Sequence, residues 1–153
     1  MSEAVILVGL QASGKTSFFR TCFASTHGHI SKDNFRNARR RQDRQMRLLR
    51  EALEKGRPVV VDNTNVTRAD RGALIAEAKA AGARVLGYFF ESDAERSLER
   101  NRSRFGKARV PERAIFSTLR RFEAPSMEEG FDRMFRVRLV DGRFRVTAWE
   151  EAG

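Results

Sequence analysis

Eight residues near the start of the chain, Gly9-Leu10-Gln11-Ala12-Ser13-Gly14-Lys15-Thr16, have the types and spacing to hold a phosphate. Glycines at the first and sixth positions let the backbone wrap until successive N–H groups point inward, and a helix opening at Lys15 would add its positive end. An ammonium at Lys15 reaches the terminal phosphates of a nucleoside triphosphate, and a hydroxyl at Thr16 is a ligand for Mg2+. Gly9, Gln11, Ala12, Ser13, Gly14, Lys15, Thr16 and Ser17 are therefore the expected ATP-binding residues. The apolar run Ala4–Val8 directly before them reads as a buried strand, which is the setting this loop requires.

A cradle does not say where the phosphate goes. Water as acceptor would make a hydrolase or a switch, a small metabolite a metabolic kinase, and a nucleic-acid end something rarer. No Asn-Lys-x-Asp stretch for reading guanine occurs. Asp62 closes the apolar run Val59–Val61 and suits a place beside the metal ion, or else a plain strand-end turn. A kinase also needs a base near the acceptor hydroxyl and a clamp on the moving phosphoryl group. Asp33, three residues before Arg36, is a candidate base, because a carboxylate can take the hydroxyl proton. An aspartate before a helix is also an ordinary N-cap. Arg96, Arg100 and Arg104 recur every four residues, so they line one helix face, either as a lid over the nucleotide or as a solvated row paired with Glu95 and Glu99. Arg36, Arg40, Arg44 and Arg47 cluster on one face of a helix expected over 34–55, with Met46, Leu49, Ala52 and Leu53 opposite. That basic stripe begins beside Asp33 and would carry a phosphodiester chain.

The elements that must position these residues follow from periodicity. Strands are expected at 4–8, 58–62 and 83–91, apolar on both faces and so covered on both sides. Helices are expected after Lys15, over 34–55, 69–81, 93–104 and 111–122. The alternation indicates an α/β chain with a parallel sheet flanked by helices, ending in a hairpin around Asp141-Gly142. The 153 residues read as one domain without repeats or linkers. Thirty Lys and Arg against twenty Asp and Glu give a net charge of +10, which attracts polyanions, nucleic acid first among them. No apolar run is long enough to span a membrane. With the single Cys22, expected as a small buried side chain, the composition fits a cytoplasmic protein. His27 and His29 lack companions for a metal site and read as ordinary loop residues.

Taken in order, the phosphate loop, Ser31-Lys32-Asp33-Asn34-Phe35-Arg36, Asp62-Asn63-Thr64-Asn65, the arginine row and the stretch from Phe122 to Asp132 resemble the kinase domain of 5′-hydroxyl polynucleotide kinases, over nearly the whole chain. The resemblance implies a P-loop, adenylate-kinase-like fold and transfer of the ATP γ-phosphate, with Mg2+, to a DNA or RNA 5′-OH end. It makes Asp33 the general base, gives Lys15 and Arg104, with Arg100, the phosphates, and has Arg36 grip the phosphate 3′ to the accepting nucleotide; Arg40 and Arg44 of the stripe, and Asn65, are the further acceptor-binding residues expected. Val66 stands where the family often has proline. Many members carry a fused phosphatase, for which 153 residues leave no room, so the kinase is expected either to work beside separate phosphatase and ligase repair enzymes or to have taken another acceptor. A kinase of metabolites or nucleotide derivatives, and a binding module switched by ATP, are the alternatives.

Overall fold

The structure is a computed structural model and describes residues 2–35, 39–91, 94–106 and 109–150. Its centre is a six-stranded sheet: β1 (Glu3–Val8), β2 (Gly28–Ile30), β3 (Val59–Asp62), β4 (Arg84–Phe90), β5 (Arg133–Val140) and β6 (Arg143–Ala148). The order is β2-β3-β1-β4-β5-β6. The first five strands of that order run parallel, and β6 returns antiparallel to β5. β1 is apolar throughout because both its faces are covered. Ala4, Ile6 and Val8 enter one core with Leu49, Leu53, Leu74 and Ile75; Val5 and Leu7 enter the other with Phe18 and Phe19.

The helices are α1 (Lys15–Cys22), α2 (Arg41–Glu54), α3 (Arg68–Ala80), α4 (Ala94–Arg102) and α5 (Glu112–Arg121). α3 starts on Thr67, whose hydroxyl accepts from the Asp70 N–H at 3.1 Å. Two helices differ from expectation. α2 begins at Arg41 rather than Asn34, because Lys32–Phe35 forms a 3-10 turn and Arg40 takes a left-handed φ of 55°, which a right-handed helix cannot pass through. The stripe is shortened accordingly. Arg40 precedes the helix, Arg44 and Arg47 remain exposed on it, and Arg36 lies outside the described residues. α4 ends at Arg102, so Arg104 does not continue the face of Arg96 and Arg100. Fully buried Asn101 explains the stop. Its amide donates to the Val110 carbonyl at 2.7 Å and its carbonyl accepts the Val110 N–H at 2.8 Å, closing the loop that carries Arg104.

β2 and the parallel pairing of β5 were absent from the sequence reading. Cys22 is exposed at the end of α1, a further correction. The stretch from Phe122 to Asp132 is a brace. Arg71 of α3, with no exposed surface, holds Glu129 at 2.7 Å and the carbonyls of Asn65 and Glu123 at 3.0 and 2.9 Å. Asp132 accepts the Val85 N–H at 2.8 Å and anchors the same segment to β4. Among the described residues no helix is long and apolar enough to cross a membrane.

Candidate active site

The chain leaves β1 at Gly9 under tight steric control. A Cβ there would lie 3.0 Å from both the Phe90 Cβ and the Ser13 Oγ, so only glycine fits without displacement. Gly14, at φ 97°, turns the loop into α1. The loop is tied across the fold at both flanks, by the Gly9 N–H on the Thr64 carbonyl (2.9 Å) and by the Gln11 amide on the Thr118 hydroxyl (2.8 Å). Lys15 folds back inside it, donating to the carbonyls of Gly9 (2.9 Å) and Leu10 (2.6 Å). Burial pushes its ammonium down to about 8, against the pull of Asp62 and Asp33 and with Arg104 adding to the fall.

Thr16 donates to the Asp62 Oδ2 at 2.8 Å, so the helix start and the end of β3 share one oxygen corner. The His29 Nε2 meets the same carboxylate oxygen at 2.9 Å, and its ring stacks on Phe19 with centroids 4.3 Å apart. Burial acts to raise the Asp62 carboxyl, but the bonds from His29 and Thr16 and the charge of Lys15 outweigh it and hold it below the ordinary carboxylate value. Two hard oxygens side by side fit a magnesium ion that takes its remaining ligands from water and phosphate. Among the described residues no group of three or more His, Cys, Asp or Glu forms a metal cage of its own.

These groups open onto one cavity of about 500 Å³ lined by Ser13, Lys15, Thr16, Ser17, Asp33, Asp62, Asn63 and Arg104. Asp33 stands in the 3-10 turn after β2. α2 starts eight residues later at Arg41, with Arg40 at its N-cap, so Asp33 is not its cap. Asn63 fixes that turn. Its carbonyl accepts the Lys32 N–H at 2.9 Å while its amide donates to buried Gln45 at 2.5 Å. A second cavity of about 620 Å³ adjoins, between the ends of β4 and β5 and α4, lined by Phe89, Glu91, Arg96, Arg100, Arg138 and Val140. Arg100 links the two, donating to the Ala12 carbonyl at 3.4 Å.

Most of the expected residues therefore meet. Arg104 does so from a loop rather than a helix face, and burial lowers its guanidinium despite Asp33 and Asp62 nearby. Arg40 and Arg44 do not line the cavity; the Arg44 guanidinium lies over the Phe35 ring, 5.2 Å from its centroid. Asn65 does not fit an acceptor contact. It is 4 % exposed, in a left-handed turn, with its amide on the Leu7 carbonyl at 2.8 Å. His29, expected as an ordinary loop residue, is instead a strand residue of β2 set against Asp62, and Asn63 carried no role in the sequence. The signal for Asn63 was its place beside Asp62, while His29 enters through a three-residue strand that periodicity cannot resolve.

Known proteins share parts of this sequence and this fold. The chain is 29 % identical over 140 residues to a bifunctional polynucleotide phosphatase/kinase of Schizosaccharomyces pombe, covering 88 % of this chain and 33 % of that protein. It thus spans about a third of the length of that relative. Among solved structures, Chaetomium thermophilum Kti12 in complex with ADP-AlF3 superposes with a TM-score of 0.71 at 18 % identity, over 90 % of both chains. A fungal RNA kinase superposes with a TM-score of 0.68 at 15 % identity, over 90 % of this chain and 38 % of that one. Sugar kinases share the fold as well. A family model described as an AAA domain (AAA_33) matches residues 5–125, from the strand before the cradle to the start of the brace, and the chain belongs to that family, with an ATP-binding P-loop fold of the kinase type.

Proposed function

We propose that the protein transfers the γ-phosphate of ATP to the 5′-OH end of a polynucleotide. The observation that carries the reading is the single cavity in which Asp33 faces the phosphate cradle together with Arg104. The acceptor class is supported by the similarity to the polynucleotide phosphatase/kinase and by the exposed arginines ahead of and along α2. Asp33 takes the proton of the attacking hydroxyl as its oxygen bonds to the γ-phosphorus and the bond to the ADP oxygen breaks. Lys15 and Arg104 hold the charge of the moving group, and Arg100 closes the loop side of the cradle. The second cavity, reached past Arg100, holds the nucleoside. Thr16 and Asp62 would hold Mg2+, which supplies charge neutralisation on the phosphates when bound. Arg40 and Arg44, with Arg36, steer the strand.

The test offers γ-labelled ATP to DNA and RNA oligonucleotides ending in 5′-OH and to a panel of sugars and nucleosides. Label on the oligonucleotide ends is expected; label confined to a sugar or nucleoside, or to free phosphate, overturns the reading.

A further inference from the structure

The hairpin of β5 and β6 lends Arg138 and Val140 to the wall of the second cavity, and arginines fill four of the six paired positions on that face, Arg143 and Arg145 lying outside the cavity lining. Pairing is in register from Phe135↔Ala148 to Val140↔Arg143, so Arg136 and Arg138 of β5 share a face with Arg143 and Arg145 of β6, with Arg138 directly opposite Arg145. Like charges placed opposite each other across two strands destabilise the pair. Glu91 is the acid that meets this face, and it is already held by both Arg136 and Arg138. The side chains of Arg143 and Arg145 are exposed and have no ion pair or hydrogen bond among the described residues. Four cations against one carboxylate make a surface whose repulsion is relieved by an outside polyanion.

We infer that the Arg143 and Arg145 part of this face binds the phosphodiester backbone of a nucleic acid, as a second contact outside the lining of both cavities. Alternate residues of a strand lie about 6.8 Å apart, so Arg143 and Arg145 form a regular row suited to the regular charge of a phosphate chain. Guanidinium forks also suit phosphate oxygens. Val140 is the exposed apolar side chain on this face, too small to anchor in lipid. β6 is at the sheet edge opposite β2, the strand leading to Asp33, about 24 Å away at five strand spacings. The contact therefore grips the body of a nucleic acid rather than its reacting end.

The probe is a labelled duplex of about twenty base pairs with 5′-phosphate ends, measured without ATP, so that binding is read independently of any acceptor role. The double variant Arg143→Ser/Arg145→Ser is compared with Arg143→Lys/Arg145→Lys and with the wild type. The Ser variant is expected to bind at least tenfold more weakly at low salt. Its log–log salt slope should flatten by about two units, near 0.9 for each phosphate released. The Lys variant should keep the slope, the melting temperature should not fall, and labelling of a short 5′-OH acceptor should be unchanged. An unaltered slope in the Ser variant overturns the inference, with or without new self-association. So does wild-type binding to phosphatidylserine vesicles or polyglutamate that is as tight as to the duplex and equally lost in the Ser variant.

Discussion

Lys15 links the geometry of the cradle to a pH signature. Its ammonium is held by the carbonyls of Gly9 and Leu10, and burial lowers it to about 8 from the ordinary lysine value of 10.5. Bound phosphates favour the charged form. Nucleotide affinity is therefore full below that pH and falls as pH rises through about 8, by up to about tenfold per unit. Calorimetric titration of ATP on both sides of this value should show the break in the wild type and none in Lys15→Met; a flat wild-type profile would refute the assignment. Stability of the free protein has the opposite sign. Between pH 8 and 10.5 the unfolded lysine keeps a proton that the folded one has lost, so stability from this group rises with pH. The phosphate-binding residues were legible because their spacing is itself the function. His29 was not, because its role depends on β2 pairing with β3, a contact between residues about thirty apart in the chain that no local pattern encodes.

At the scale of elements, the loop after α4 and the brace under α3 make separable predictions. Arg104 reaches the cavity because Asn101 closes the loop behind it. Arg104→Ala should lower kcat by about 10²-fold or more while ATP binding persists, since a charge donor to the transition state is lost. A change confined to stability would return this arginine to a surface role. Glu129→Ala leaves the fully buried Arg71 without its carboxylate, and urea unfolding should show a loss of about 3–5 kcal/mol. A loss under about 1 kcal/mol would mean the pair is not holding the brace. The strands β1, β3 and β4 and the hairpin were readable from apolar runs and the Asp-Gly turn. The start of α2 was not, since 34–40 has helix-compatible composition, and the boundary follows from the 3-10 turn Lys32–Phe35 and the left-handed turn at Arg40. The brace was visible as a motif but not as a brace, because Arg71 lies about fifty residues before its partners.

Over the whole molecule, the sheet sets out the proposed reaction in order. Asp33 follows the strand at one edge, the cradle follows the centre, and the basic hairpin forms the other edge. The net charge of +10 gives this layout a long-range attraction for polyanions that fades with salt. The most direct measurement is single-turnover transfer from γ-labelled ATP to paired oligonucleotides, DNA and RNA, ending in 5′-OH or 5′-phosphate, with wild type and Asp33→Asn side by side. Asparagine keeps the size of the side chain but cannot accept a proton. The account predicts label on 5′-OH ends alone, and a loss of about 10²–10⁴ in the Asn variant with melting, ATP binding and oligonucleotide binding preserved. A fully active Asn variant, or a wild type that labels no 5′-OH end, would contradict it.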